Sequence, residues 1–292
     1  MQMSVQADAQ TAFELAAYED HFVEIDGLRL HIQDYGTLGK PPMLCVHGGG
    51  ANGHWYDFVA HGFNADYHVR AVDLRGHGDS DWDDSNPPNY NYTRHAADIH
   101  ELTEKLDLHD FVMVGHSMGG MVSAVYTATY PGRVRALIVV DSNLVMSPER
   151  IAGFQSVADR PAREYTTQEE FIANYRVRPG ASTAPPTALR HIAYHSGRRF
   201  DDGLWRHKVD RRTYADRELF DSFALWDRIR IPALLMKGGC SVRMTPESMA
   251  EVQSRAPQVT TTVVPDADHH ITLDNPAGCI RAAREFLAGI AR

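Results

Sequence analysis

The sequence predicts an α/β fold in which helices cover both faces of a mostly parallel sheet and a helical cap is inserted. Short apolar runs alternate with helix-like segments. One such run leads directly into a serine flanked by glycines, and further along the chain the alternation stops in a polar, arginine-rich stretch. The 292 residues suit one large core with an insertion.

The alternation of apolar runs and helix-like segments predicts the sheet. Short runs rich in β-branched residues are typical of strands that are buried on both faces. Six such runs are Met43–Val46, Val69–Leu74, Phe111–Val114, Ala136–Val140, Ala233–Met236 and Thr260–Val264. Before them, Phe22–Ile25 and Leu28–Gln33 flank Asp26-Gly27, a dipeptide suited to a tight hairpin turn. We therefore expect an antiparallel edge hairpin that leads into a parallel sheet, eight strands in all.

The stretch without strand-like runs predicts a separate cap. Residues 144–222 are polar and arginine-rich, with breaks at Pro179-Gly180 and Pro185-Pro186. We expect residues 1–20 to form an N-terminal extension, residues 21–143 and 223–292 to form the core, and residues 144–222 to form the helical cap.

The composition limits the classes of partner that the protein is expected to bind. A formal net charge of -9 disfavours nucleic acid, whose phosphates attract an excess of Lys and Arg. The first 20 residues lack the basic and long apolar stretches of a secretory signal, so we expect none, and no apolar run approaches the roughly 20 residues that span a membrane. Cys45, Cys240 and Cys279 lie far apart without metal-binding or redox spacing. We expect a cytoplasmic protein with a small-molecule substrate, no nucleic-acid or membrane partner, no metal or cofactor, and a monomeric or homodimeric state.

The motif with the most specific chemistry surrounds Ser117. Gly115-His116-Ser117-Met118-Gly119-Gly120 follows the run Phe111–Val114 and precedes a helix-like segment. A serine on a sharp turn from strand to helix needs small residues two positions away on each side, because larger side chains would clash there. The turn raises the hydroxyl above the carboxyl edge of the sheet, where ligands bind in open α/β folds. Ser117 is therefore the predicted nucleophile.

A second glycine-rich motif, His47-Gly48-Gly49-Gly50, follows the run Met43–Val46. Acyl transfer places negative charge on a carbonyl oxygen, and backbone N–H groups stabilise that charge. The N–H of Met118, at the start of the predicted helix, would be one donor, and that of Gly49 the other, with Gly50 as a close rival. The alternative is a loop that is only flexible.

Together, the HGGG motif, Asp73–Asp81 (DLRGHGDSD) and GHSMGG resemble the α/β-hydrolase superfamily. The resemblance covers most of the chain apart from the first 20 residues and the cap. It implies a triad in the order serine, acid, histidine. It also implies that the loop at Asp73 braces the floor of the site.

The resemblance places the base near the C-terminus. In the family pattern the histidine follows a tight turn and precedes a proline by seven residues. His269 meets both criteria, after Asp266-Ala267-Asp268 and before Pro276, whereas the adjacent His270 is expected to pack or to face the lid. His269 would accept the Ser117 proton and return it to the leaving group.

The acid departs from the common pattern of the family. The loop after the penultimate strand, Gly238–Arg243, contains no carboxylate where most members carry an aspartate. A minority branch takes the acid from the end of the strand after the nucleophile helix, and here the run Ala136–Val140 ends at Asp141. Asp141 would hold the histidine tautomer and stabilise the imidazolium. The alternative is that Asp141 caps a helix.

That branch includes (E)-2-(acetamidomethylene)succinate hydrolase and cofactor-independent ring-opening dioxygenases. The stretches KGGCSVRMTPE and VVPDADHH resemble the former more closely. Its dicarboxylate substrate is held by cap arginines, which makes Arg176 the matching candidate here, since a guanidinium binds a carboxylate with two parallel donors. Solvated ion pairs are the alternative for any cap arginine. Trp55 and Trp205 are expected to wall an apolar pocket or to belong to the core.

The expected function is hydrolysis of a carboxylic ester, an amide or an activated C–C bond through an acyl-enzyme on Ser117. Two alternatives stay open. A cofactor-independent dioxygenase would use His269 and Asp141 to deprotonate its substrate, and a receptor of the same fold would bind a ligand without turnover.

Overall fold

The computed structural model describes residues 14–217 and 219–290, and a mixed sheet of eight strands lies at its centre. Most of the predicted N-terminal extension, residues 1–13, lies outside the described part. In chain order the strands are β1 (Glu19–Ile25), β2 (Leu28–Asp34), β3 (Pro42–Val46), β4 (His68–Val72), β5 (Phe111–His116), β6 (Val134–Val140), β7 (Val145–Met146), β8 (Gly197–Arg199), β9 (Trp205–His207), β10 (Phe220–Asp221), β11 (Ala233–Gly238) and β12 (Val259–Val264).

The order of strands in the large sheet is β1-β2-β4-β3-β5-β6-β11-β12. The first two form the predicted hairpin, in which Ile25 pairs with Leu28 across a turn where Asp26 and Gly27 have positive φ. From β4 to β12 all neighbours are parallel. The predicted fold class is confirmed, and the carboxyl ends of β3, β5, β6, β11 and β12 share one edge.

Helices cover both faces of the sheet. In chain order, the helices of the sheet domain and the cap together are α1 (Tyr92–Lys105), α2 (Met118–Thr129), α3 (Pro148–Ala158), α4 (Gln168–Asn174), α5 (Pro186–Ser196), α6 (Arg212–Ala215), α7 (Phe223–Trp226), α8 (Pro246–Arg255), α9 (Ile271–Asp274) and α10 (Pro276–Ala288), with 3-10 turns at Gly53–Tyr56 and Ala60–Gly62. Apolar side chains of α1, α2 and α8 fill the core on one face. Those of α10 and the 3-10 turns fill the core on the other face.

The cap lies between β6 and β11. The chain enters it through β7 and leaves it through β10, which pair as a short antiparallel ladder. The Ser222 N–H also donates to the Leu144 carbonyl at 3.0 Å. Helices α3–α6 and the β8–β9 hairpin make up the rest. Because Ala188 and Ile192 of α5 pack on Trp55 and Phe58, the cap shares a small apolar core with the sheet domain.

The cysteines are free thiols: Cys45 and Cys279 are buried and Cys240 is exposed. Among the described helices, none has the length and apolar character needed to cross a bilayer.

Candidate active site

Ser117 occupies the sharp turn between β5 and α2. Its backbone is held at φ 54°, an uncommon value for a residue with a side chain. Its N–H donates to the Val140 carbonyl at 2.9 Å, which ties the turn to the neighbouring strand β6. Such strain persists only where surrounding structure enforces it, and here it lifts the hydroxyl to the carboxyl edge of the sheet.

The backbone on both sides of Ser117 packs so closely that Gly115 and Gly119 leave no room for a side chain. A Cβ on Gly115 would lie 2.4 Å from the Gly119 carbonyl oxygen. A Cβ on Gly119 would lie 2.2 Å from the Val46 carbonyl oxygen. Since backbone atoms cannot move aside as a flexible side chain can, any larger residue would displace α2 from β3 and β5.

Ser117, His269 and Asp141 form one hydrogen-bonded line. The Ser117 Oγ lies 2.9 Å from His269 Nε2, and His269 Nδ1 lies 2.7 Å from Asp141 Oδ2. The adjacent His270 instead directs Nε2 to the Pro179 carbonyl of the cap, at 2.8 Å. The structure thus brings together the three side chains that the sequence pointed to.

Asp141 reaches the histidine from the end of β6. Its N–H donates to the Met236 carbonyl at 2.8 Å, and its carboxyl is fully buried. Ser241 Oγ donates to Oδ2 at 2.6 Å and the Gly238 N–H donates to Oδ1 at 3.2 Å. The loop that lacks an aspartate therefore supplies donors to Asp141.

The electrostatics favour a neutral base. Burial lowers the pKa of His269 well below its ordinary value of 6.5, and the neighbouring His270 and the positive charges of Arg243 and Arg150 act in the same direction. Burial raises the pKa of the Asp141 carboxyl, while the hydrogen bonds from Ser241 and Gly238 oppose that rise. A neutral imidazole that donates from Nδ1 to Asp141 presents its Nε2 lone pair to the Ser117 hydroxyl.

The glycine loop is held against the nucleophile by His47. The Leu74 N–H donates to His47 Nε2 at 3.0 Å, and Nδ1 donates to the Gly48 carbonyl at 2.7 Å. Asp73 braces the same floor, because its carboxylate accepts from the Gly53 N–H at 2.7 Å. The bracing role that the family resemblance implied for the Asp73 loop stays a prediction.

Ser117 opens into a cavity of about 400 Å³, which we call the serine chamber. Gly49 and Met118, the predicted oxyanion donors, both line it. Because Met118 begins α2, its N–H has no partner within the helix. The apolar wall comprises Tyr92, Met121, Met146, Phe154, Val157, Pro179 and Tyr214.

The charged lining of the serine chamber is basic. Four arginines line it, Arg150, Arg178, Arg217 and Arg243, and among the described residues no Asp or Glu does. Within the described ranges, no carboxylate oxygen lies within 4.0 Å of these four guanidinium groups. Arg217 is 7% exposed, and its Nε has no hydrogen-bond partner within residues 14–217 and 219–290. Such a set of unpaired cations is suited to an anionic ligand.

The residues predicted to contact the substrate, together with Gly50, do not line the serine chamber. Gly50, Trp55 and Arg176 line a neighbouring cavity of about 480 Å³, which shares Gly49, Val157, Arg178 and Tyr214 with the serine chamber. Arg176 is exposed and donates to the carbonyls of Ala173 and Tyr175. Trp205 is in β9 and lines neither cavity.

Arg176 was the arginine predicted to bind a carboxylate, whereas the four arginines of the serine chamber were not predicted. They come from four separate segments: the first cap helix α3, the loop after α4, the end of the cap and the loop after β11. Arg243 could have been found from the loop Gly238–Arg243. This loop adjoins the triad and carries a cation where most members of the family carry an aspartate.

Comparisons with known proteins agree with this architecture. Residues 41–276 match the family model of the α/β hydrolase fold. An esterase of Mycobacterium tuberculosis is 29% identical over 85% of this chain and 83% of its own. The 2-(acetamidomethylene)succinate hydrolase of Mesorhizobium japonicum is 26% identical over 92% of this chain and 96% of its own.

A solved structure is similar along nearly the whole chain. The crystal structure of E-2-(acetamidomethylene)succinate hydrolase superposes with a TM-score of 0.80, at 24% identity, over 94% of this chain and all of that one. The distant similarity to this hydrolase and to esterases is thereby confirmed, and both relatives named above are hydrolases. With the family model matched over most of the chain, the protein belongs to the α/β-hydrolase fold family.

Proposed function

We propose that this protein is a serine hydrolase that cleaves an ester, an amide or an activated C–C bond of a small substrate bearing a carboxylate. The observation that carries the proposal is the hydrogen-bonded line Ser117, His269 and Asp141 at the end of a chamber whose charged lining is four arginines. The name of one relative, a succinate hydrolase, supports an acidic substrate as well.

In the proposed first half-reaction, Ser117 Oγ attacks the substrate carbonyl carbon while its proton passes to His269 Nε2. The N–H groups of Gly49 and Met118 donate to the resulting oxyanion. The tetrahedral intermediate then collapses, and the bond to the leaving group breaks. His269 returns the proton to that group, whether it is an alkoxide, an amine or a carbanion.

In the second half-reaction, a water molecule gives a proton to His269 and its oxygen adds to the acyl carbon. Collapse breaks the acyl–Oγ bond and releases the carboxylic acid, while His269 returns its proton to Oγ and so restores the Ser117 hydroxyl. Throughout, Asp141 holds the imidazole and stabilises its positive charge. The arginines orient the substrate carboxylate and take no part in proton transfer.

The acidic-substrate proposal is tested with two matched activated esters. We expect kcat/KM for a p-nitrophenyl hemiester of glutarate to exceed that of its uncharged methyl diester, p-nitrophenyl methyl glutarate, by more than about tenfold, which corresponds to one charge-assisted pairing. Arg217→Met replaces the guanidinium with an uncharged chain similar to the aliphatic stem of arginine, and it should reduce the preference even though three other arginines remain. Arg176→Met, outside the chamber, is the control and should keep it. Equal rates for both esters in the wild type would contradict the proposal.

The dioxygenase alternative makes a different prediction. It needs His269 and Asp141 but no acyl bond to Ser117, so Ser117→Ala would retain activity and turnover would stop under nitrogen. We expect wild-type turnover of the acidic ester to be equal under air and nitrogen, and Ser117→Ala to be inactive in both.

A further inference from the structure

A second group of titratable side chains joins the cap to the sheet domain. It consists of His54, Asp57, His191 and His195, which we call the histidine cluster. His54 and Asp57 are buried and the two cap histidines are half-buried. One potential ligand atom from each residue lies within 4.8 Å of the others. No step of the proposed hydrolysis uses any of these residues.

The spacing in the chain suits a shared ligand. His191 and His195 stand four residues apart on α5, so that both imidazoles lie on the same helix face. His54 belongs to the 3-10 turn Gly53–Tyr56, and Asp57 ends it. Two imidazoles on one helix turn are a common way to bind one transition-metal ion.

The geometry centres on one carboxylate oxygen. Asp57 Oδ2 lies 2.9 Å from His54 Nδ1 and 2.7 Å from His191 Nε2. The His195 ring stacks on that of His54, with centroids 3.6 Å apart, and lies 4.6 Å from that of His191. Among the described residues, the His195 imidazole has no hydrogen-bond partner. A hydrogen-bonded ion-pair network alone would therefore leave one of the three imidazoles unused.

The other carboxylate oxygen, Asp57 Oδ1, already accepts a hydrogen bond from the core. The Tyr35 hydroxyl donates to Asp57 Oδ1 at 2.7 Å, whereas Gln33 Nε2 lies 3.4 Å from the same atom and nearer, at 2.8 Å, to His54 Nδ1. Hydrogen bonds of this kind orient carboxylates that ligate metals, since they leave the second oxygen free to face the ion. Tyr35 and Gln33 are both buried, so this support is part of the core.

We infer that the histidine cluster binds Zn²⁺ through three imidazole nitrogens and Asp57 Oδ2, and so fastens the cap to the sheet domain. Three imidazoles and a carboxylate form a donor set that Zn²⁺ takes in tetrahedral sites, at about 2.0–2.2 Å from each atom. Separations of up to 4.8 Å exceed the edge of such a tetrahedron. Binding therefore lengthens the 2.7 and 2.9 Å contacts of Asp57 Oδ2, brings the more distant nitrogens in, and turns the stacked rings of His54 and His195 apart.

The role of this ion is structural. Trp55 follows His54 in the same turn, and its ring stacks on His116 and contacts His270 edge-on, beside the catalytic base. An ion held between this turn and α5 would fix Trp55 and the cap together. The hydrolytic line Ser117, His269 and Asp141 contributes no ligand to it.

The test uses full-length protein freed of metal with a chelator and dialysed. We expect calorimetric titration with ZnCl₂ alone to show one equivalent bound, and Co²⁺ to give the visible absorption of a tetrahedral site. The melting temperature should rise with Zn²⁺ concentration, as for any ligand that binds the folded state. Wild-type protein that binds no Zn²⁺ would overturn the inference, whatever the variants do.

Zn²⁺ binding by histidine-to-alanine variants tests where the ion binds. His191→Ala and His195→Ala should each weaken Zn²⁺ binding by more than about 100-fold, because each removes a direct ligand. His109→Ala removes an exposed histidine of the surface and should leave binding unchanged. His116, His269 and His270 form the competing group of donors. If His269→Ala abolished binding while His191→Ala and His195→Ala retained it, the ion would lie at the hydrolytic site and the inference would be wrong.

Discussion

Asp141 and Ser241 lie at the ends of adjacent strands and meet at one carboxylate oxygen. Ser241 Oγ is 2.6 Å from Asp141 Oδ2, which is itself 2.7 Å from His269 Nδ1. In the common family pattern the loop after β11 carries the acid. Here that loop carries a hydroxyl that donates to an acid from β6. The carboxylate therefore still contacts the histidine, although its origin in the chain differs from the common pattern.

Replacing Asp141 tests the acid. Asp141→Asn should lower kcat by about 10⁴-fold, because an amide can hold the wrong imidazole tautomer and cannot stabilise the imidazolium. Ser241→Asp on that background places a carboxylate one hydrogen bond away and should recover at least about tenfold of the loss. Steady-state kinetics on an activated ester measures both, with circular dichroism as the control for folding. A loss below about tenfold in Asp141→Asn would mean that another acid serves His269.

The charge beside the base sets the pH dependence. His269 must be neutral to accept a proton, and burial together with nearby Arg243 lowers its pKa below 6.5. Activity should therefore persist below pH 6.5 and be lost as the pH falls through the lowered pKa. Arg243→Gln removes one positive charge, so the pKa of His269 rises and the acid limb of kcat/KM moves to higher pH. A neutral ester keeps the substrate charge constant, and Arg255→Gln on the surface is the control. An unchanged or lower midpoint in Arg243→Gln would contradict this account.

Among the elements, the junction of β5 and α2 leaves no room for larger side chains at two glycines. Gly115 and Gly119 let α2 start directly beside β3 and β5, and this contact sets the height of Ser117 above the sheet edge. Such close backbone packing explains why the motif can be read from sequence, since only glycine fits at these positions.

A pair of glycine substitutions tests this packing. Gly119→Ala should lower the free energy of unfolding by at least about 3 kcal/mol, because its Cβ would lie 2.2 Å from the Val46 carbonyl oxygen. Gly153→Ala in α3 meets no atom within 4 Å and should raise that free energy by about 0.5–1 kcal/mol. Urea denaturation measures both. Equal effects of the two substitutions would show that the contact at Gly119 is not the constraint.

The elements of the sheet domain could be predicted because their signals are local. β-branched runs end within a few residues of the observed strands, and the Asp26-Gly27 turn pairs β1 with β2 as expected. In the cap, β7 and β10 are two residues long and pair across more than seventy positions, so neither has a pattern of its own. The histidine cluster likewise combines a turn after β3 with α5, segments that only the docked cap brings together.

At the scale of the whole molecule, the cap and the sheet domain share one site. Ser117, His269 and Asp141 come from the sheet domain and were accessible to sequence reasoning, because motif spacing and strand ends define them. Three of the four chamber arginines come from the cap, whose helices approach Ser117 only after docking. Arg176 and Arg178 are two residues apart, yet only Arg178 lines the serine chamber. Sequence alone could not separate them, since their orientation depends on that docking.

Mapping the site at which a fluorophosphonate probe reacts tests whether Ser117 is the nucleophile. The probe forms a covalent bond to a serine that an adjacent base activates. Peptide mass spectrometry of labelled wild-type protein should find one adduct, on Ser117, and Ser117→Ala should show none although it folds. Asp141→Asn should label far more slowly than wild type. An adduct on another residue, or labelling that persists in Ser117→Ala, would contradict the assignment of Ser117 as nucleophile.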